Sequence, residues 1–279
     1  MDTTPAMNAA APPTSPAWKP DIRTAMTWGL LAGLSAIAVL PYVRRLTPEA
    51  FAKIKLSFPM LAAQQGLEVF VLLGLLALFG LRMGRRVGLG SPLLQGWFAS
   101  GAPGATPAPT AATLRPWHTI VLGIASGLAI VGLGLALDPM LPKMLHPVAT
   151  PSGMTSAIEG FLASFYGGIA EELQLRLFLM TLLVWMLTLA GRHRPKPALF
   201  WLAIVVAALA FGAGHLPAAQ QVWGLSGIVV VRTIVLNALG GLVFGWLYWK
   251  RGFEMAMLGH FSADIVLHVL APLVATTAA

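Results

Sequence analysis

Glu171, Glu172, His215, His260 and Asp264 lie inside stretches of sequence apolar enough to be buried in a lipid bilayer. An ionisable side chain is costly at that depth, so each is a functional-site candidate by default. They fall into three patterns in chain order: Glu171-Glu172-x-x-x-Arg176, Phe211-x-x-x-His215 and His260-x-x-x-Asp264. Carboxylates and imidazoles in a dry cavity are the groups needed to activate water for hydrolysis. On a helix, Glu172 and Arg176 are neighbours four residues apart, so the guanidinium can neutralise and orient that carboxylate. Glu171 points about 100° away from Glu172, which leaves one glutamate for structure and the other free to act as a base. A Glu172–Arg176 pair that only locks two helices is the plainer alternative. His215 ends an apolar stretch, with Phe211 one turn earlier on the same face to wall it off from lipid. His260, Asp264 and His268 form a stripe that suits a proton path, a row of metal ligands or hydrogen-bonded helix contacts.

The elements that must carry these residues are helices. The chain has 279 residues, 57% hydrophobic and only 10% charged, with a mean hydropathy of +0.77. Soluble domains carry about 25% charged residues, so an integral membrane protein is expected. Only helices or closed barrels satisfy the backbone in lipid, and nothing reads as a spanning strand. The expected fold is all-α, a polytopic transmembrane helical bundle. Seven spans are expected near 24–41, 59–82, 117–137, 155–190, 198–214, 225–249 and 254–272. An eighth would arise if Gly167-Gly168 splits the long fourth stretch into a surface helix and a span.

The expected organisation is a disordered N-terminal tail over residues 1–23, a transmembrane pair over 24–82 and a basic Gly/Pro-rich loop over 83–116. A catalytic core over 117–272 and a C-terminal tail over 273–279 follow. Residues 101–109, Gly-Ala-Pro-Gly-Ala-Thr-Pro-Ala-Pro, cannot be helix or strand. Cysteine is absent, which excludes disulfides and thiolate chemistry. The net charge of +8 does not imply nucleic acid. Basic residues gather in short loops, as topology signals and contacts to membrane lipids do. That bias places the N-terminus and the loops holding Arg82–Arg115, Arg192–Lys196 and Lys250-Arg251 in the cytoplasm. Residues 42–58 break the alternation, since they carry Arg44, Arg45, Lys53 and Lys55 on the opposite side.

Other polar residues within spans are expected to pair between helices, for instance Glu68 with Arg232. Glycines such as Gly123, Gly127, Gly132, Gly134, Gly240, Gly241 and Gly245 read as packing surfaces. Simple alternation of crossings puts His215 near one membrane face and His260 nearer the other, so tilted or broken helices are needed to bring them together.

Taken together and in this order, the three patterns resemble the CPBP family of intramembrane proteases, the CAAX prenyl protease 2, Abi and bacteriocin-processing type. The resemblance covers about residues 117–272, and Gly84-Arg85-Arg86-Val87-Gly88-Leu89-Gly90 is similar to the basic loop that often precedes such a core. It departs at Leu175 and Leu177, where many members have Phe and Gly around the arginine, and at Asp264, where eukaryotic prenyl proteases have Asn. The resemblance implies that Glu171 activates the attacking water, that His215 helps hold it, and that His260 stabilises the oxyanion with Asp264 beside it. Glu172 and Arg176 would be the structural pair. Glu171, His215 and His260 could also bind a zinc ion with one position left for water, or hold water directly. The absence of a His-Glu-x-x-His pair on one helix favours the metal-free form. The expected substrate is a peptide or a lipidated or membrane protein, and the expected location is the inner membrane of a bacterial cell. A proton-coupled transporter using the same residues as a relay, and a non-catalytic scaffold or immunity protein, are the alternative readings. The first half of the chain holds no matching motif of the kind a two-repeat transporter would show.

Overall fold

The computed structural model describes residues 18–100, 111–145, 153–189 and 195–277. The expected loop at 101–109, Arg192 and Arg194, and residues 1–17 of the N-terminal tail lie outside the described residues. All regular structure among the described residues is helical. Seven helical stretches are long and apolar enough to cross a membrane: Trp18–Leu46, Phe58–Val87, Pro116–Met140, Gly153–Leu189, Pro197–Trp223, Gly227–Arg251 and Phe253–Val274. They are numbered here as spans one to seven.

Several limits differ from those read in the sequence. Span one begins at Trp18, inside the stretch assigned to a tail, because Asp21 in its first turn is buried and held by three side chains of the neighbouring segment. Span two continues to Val87 and stops where Gly88 turns left-handed, with φ of 77°. A further helix, Pro92–Ala99, occupies the expected loop. At the other end, helix continues to Thr277.

The fourth stretch is not split at Gly167-Gly168. It runs as one 37-residue helix, and its middle widens into π-helical turns over Tyr166–Glu171 and Leu173–Met180. Such bulges add a residue to the turn and are frequent at functional sites. Span five is interrupted at His215, where the helix ends and a second helix, Leu216–Trp223, restarts at once behind Pro217. Span seven likewise has a π-helical stretch at Ile265–Leu270.

Small residues let the spans approach closely, as expected where lipid gives no hydrophobic drive between helices. Spans three and seven meet at Gly123, where a Cβ would collide with the carbonyl of Gly259. Spans five and six meet where Gly241 faces Ala208 and Gly212 faces Ile234. Gly132 contradicts its assignment as a packing residue, since nothing lies within 4 Å of its would-be Cβ. Span four is the axis of the bundle: Leu173, Leu177, Met180 and Val184 are fully buried in one apolar core with Ile204, Phe244, Leu247 and Phe253 of the later spans. Burial of this face fixes which way the polar residues of the same turns point.

Candidate active site

Span four presents two adjacent carboxylates to different partners. Glu172 is fully buried, and its Oε1 lies 2.9 Å from Arg176 Nη1 one turn on. The same oxygen accepts a 2.8 Å hydrogen bond from Nδ1 of His260 on span seven. Arg176 is also buried; its Nη2 donates to the carbonyl of Gly241, and its guanidinium lies over the rings of Phe211 and Phe244. This arrangement joins spans four, five, six and seven. It leaves Glu172 Oε2 and Arg176 Nε buried without a hydrogen-bond partner among the described residues.

Glu171 turns the other way, towards open space. Its Oε1 is 4.0 Å from His215 Nε2 and its Oε2 is 3.9 Å from His260 Nε2. Both gaps are too long for a hydrogen bond. Both rings are fixed from behind through Nδ1: His215 by the carbonyl of Phe211 at 2.9 Å, and His260 by Glu172. A carbonyl oxygen and an ionised carboxylate only accept, so each Nδ1 carries a hydrogen. In the neutral rings both Nε2 atoms are therefore lone-pair sites turned towards one carboxylate.

Aromatic side chains complete the walls. Phe244 stacks flat on His260, with centroids 4.5 Å apart. Phe211 meets His215 and His260 edge-on at 4.8 and 5.6 Å. Asp264 lies behind this pair, with Oδ1 3.6 Å from His260 Nε2 and 3.9 Å from His268 Nε2. Gly167 makes room for it: a Cβ there would run into Asp264 Oδ2 and sit 3.2 Å from His260 Nε2.

The sequence-read candidates Glu171, Glu172, Arg176, His215, His260 and Asp264 thus come together in one cluster. The depth conflict between His215 and His260 disappears for two reasons. Span five continues past His215 into Leu216–Trp223, so the histidine lies within the span and not at its end. Span seven starts against the segment before Pro92–Ala99, where Phe253 N–H donates to the carbonyl of Gly90, and it carries His260 two turns into the helix. Phe244 was missed. Its signal is only an aromatic one turn after Gly240-Gly241, which any packed span could show.

The expected Glu68–Arg232 pair does not form. Glu68 accepts from Gln64 and Gln65 of its own helix on an exposed face, and Arg232 bonds Asp138 of span three at 2.7 Å. Asn237 bonds the carbonyl of Thr233 within its own helix. These polar groups are satisfied locally, so no second charged site arises from them.

Zinc takes nitrogen and oxygen donors at about 2.0–2.2 Å. Glu171, His215 and His260 fit that chemistry by donor type, and metal-bound histidines are oriented through the opposite ring nitrogen in the same manner. Tetrahedral ligands on such an ion stand about 3.4 Å apart, closer than the 3.9 and 4.0 Å found here. Among the described residues, no group of three such side chains converges on a common ion position.

Seven membrane-length helices around a buried carboxylate–histidine cluster define a polytopic membrane protein with an internal polar site. Residues 153–266 match the family model described as Type II CAAX prenyl endopeptidase Rce1-like, so this segment is similar to the CAAX-type proteases. The match begins with span four, includes all three motifs and ends before His268. No curated protein and no solved structure matches the chain.

Proposed function

We propose that the protein is an intramembrane endopeptidase that hydrolyses a peptide bond of a membrane-associated protein or peptide with water activated by Glu171 and His215. The observation that carries this reading is the pair of histidine Nε2 atoms, both fixed through Nδ1, that flank the Glu171 carboxylate at 4.0 and 3.9 Å, beyond direct hydrogen-bond distance. Polar atoms held apart by about 4 Å in a partly open site suit a bridging water.

In this mechanism Glu171 takes a proton from the water as the oxygen attacks the scissile carbonyl carbon. His260, as the imidazolium, donates its Nε2 hydrogen to the oxyanion of the tetrahedral intermediate. Glu171, now a carboxylic acid, returns the proton to the amide nitrogen as the C–N bond breaks, and the carboxylate is restored. Glu172 and Arg176 are positioning residues: they hold the His260 ring and neutralise each other. Asp264 lies 3.6 Å from His260 Nε2, and as a carboxylic acid it would add a second hydrogen-bond donor there. A zinc ion bound by Glu171, His215 and His260 would instead supply Lewis-acid polarisation of the carbonyl.

The family supports a peptide or prenylated protein as substrate. The finer reading is a lipidated membrane protein cleaved within the bilayer of a bacterial inner membrane, by a core over residues 117–272. The test is cleavage of a panel of prenylated and unprenylated quenched-fluorescent peptides by the purified chain, beside Glu171→Gln and after chelator treatment. Cleavage by the wild type, none by the variant and no loss with chelator is the expected result. Loss with chelator and recovery with stoichiometric zinc would make the three residues ligands. Equal cleavage by Glu171→Gln would end the reading.

A further inference from the structure

A cavity of about 650 Å³, apart from the Glu171 cluster, opens where spans one and two join. It is lined by Pro41, Arg44, Arg45, Phe51, Phe58 and Glu159 among others. It sits in the same segment, 42–58, whose four basic residues defied the loop-charge alternation.

The two arginines differ. Arg45 is neutralised by Glu159 of span four and lies over the ring of Tyr42 at 5.2 Å. Arg44 is spare. Among the described residues it forms no ion pair, and its guanidinium lies 5.9 Å from the centroid of Phe58. Lys53 and Lys55 are exposed on the adjoining loop. The cavity therefore holds one unspent planar cation at a membrane boundary, next to further positive charge.

The surroundings of Arg44 are apolar on the membrane side. Ile37, two turns before it on the same helical face, is 37% exposed, and Leu34 below that is 54% exposed. Phe58 and Met60, at the start of span two, are 40% and 59% exposed. Guanidinium pairs with phosphate oxygens in a planar, two-pronged manner, and exposed apolar side chains running down a span suit acyl chains. A free phosphate would make no use of that track.

We infer that this cavity is a binding site for the phosphate headgroup of an anionic phospholipid, with Arg44 as its anion ligand and the Ile37–Leu34 face as the seat of an acyl chain. Such a site explains why a basic segment is kept on the side where loop charge should be low: it fastens the turn between spans one and two to the lipid surface. The inference is independent of the catalytic reading, since none of these residues belongs to that cluster.

The experiment is native mass spectrometry of the full chain in neutral detergent, titrated with phosphatidylglycerol, phosphatidylcholine or inorganic phosphate. One tightly held phosphatidylglycerol is expected, with weaker phosphatidylcholine binding and no competition from phosphate. Arg44→Gln should weaken phosphatidylglycerol binding by about tenfold, the loss of one charge-assisted contact. Glu159→Gln, which removes the carboxylate that competes for Arg45, should tighten it. Lys143→Gln, an exposed basic residue outside the cavity, should leave it unchanged. Equal binding by wild type and Arg44→Gln, equal weakening by Lys143→Gln, weaker binding by Glu159→Gln, or displacement by inorganic phosphate would each overturn the assignment.

Discussion

Asp21 and Glu171 are both carboxylates within membrane-length helices, yet their surroundings are opposite. Asp21 is fully buried and accepts hydrogen bonds from Arg85 Nε and Nη2 at 2.7 Å, Gln95 Nε2 at 2.8 Å and Arg82 Nη1 at 3.0 Å. Every lone pair it offers is used, and the cluster ties span one to span two and to the helix Pro92–Ala99. Glu171 is partly open, and the Nε2 atoms of His260 and His215 stand 3.9 and 4.0 Å away. A buried carboxylate surrounded by direct donors is structure, because the cost of desolvation is met on the spot. A carboxylate facing two imidazole Nε2 atoms across gaps of about 4 Å is placed to share a water with them. Glu172 belongs with Asp21 by its partners, although it is the next residue to Glu171, so a single helical step separates the two kinds.

The comparison is broken most sharply at Glu171. Glu171→Gln should lower peptide cleavage by about 10³-fold, within the 10²–10⁴ range for loss of a general base. Its thermal unfolding midpoint in detergent should match the wild type, since no hydrogen bond within the protein is lost. A fall in stability would place Glu171 with Asp21 instead.

Arg176→Ala should cost about 3–5 kcal/mol, because it removes the ion-pair partner of the buried Glu172 and leaves it only the hydrogen bond from His260. Reduced yield of monodisperse protein, together with reduced activity, is the readout. A normal midpoint would contradict the structural role of the pair.

Gly167→Ala should lower activity by about 10²-fold through displacement of Asp264 and His260, with a smaller change in stability. Activity like that of the wild type would show that this side of His260 has room to spare.

At the small end, Asp21→Asn should cost about 1–2 kcal/mol, discounted because Arg82 and Arg85 are partly exposed and can be solvated. Activity per folded molecule should be unchanged. Glu68→Gln should change neither quantity measurably, since its partners are exposed residues of its own helix.

The sequence made the helices and the three motifs legible because charges inside apolar stretches stand out and i to i+4 spacing has one meaning on a helix. Glu172–Arg176 is such a local pair, and it forms. Long-range pairing was not legible: Glu68 and Arg232 were matched as the opposite charges left over, but Asp138, at the end of span three, lies nearer to Arg232. The Gly167-Gly168 pair read as a break because glycine weakens helices. In a tightly packed bundle it serves close approach instead, here to Asp264 and Phe261. The π-helical turns around Glu171 have no pattern in composition or hydropathy. The start of span one was missed because Asp21 and its basic neighbours look soluble until Arg82, Arg85 and Gln95 are brought beside them.

The central claim is that Glu171, held between His215 and His260 without a direct hydrogen bond to either, activates water for peptide cleavage. It is tested most directly by mapping new protein C-termini in membranes of cells that express either the wild-type chain or Glu171→Gln at equal folded levels. The account predicts a set of C-termini, from membrane-associated proteins, that appears with the wild type and vanishes with the variant. The same set appearing with both chains would contradict it.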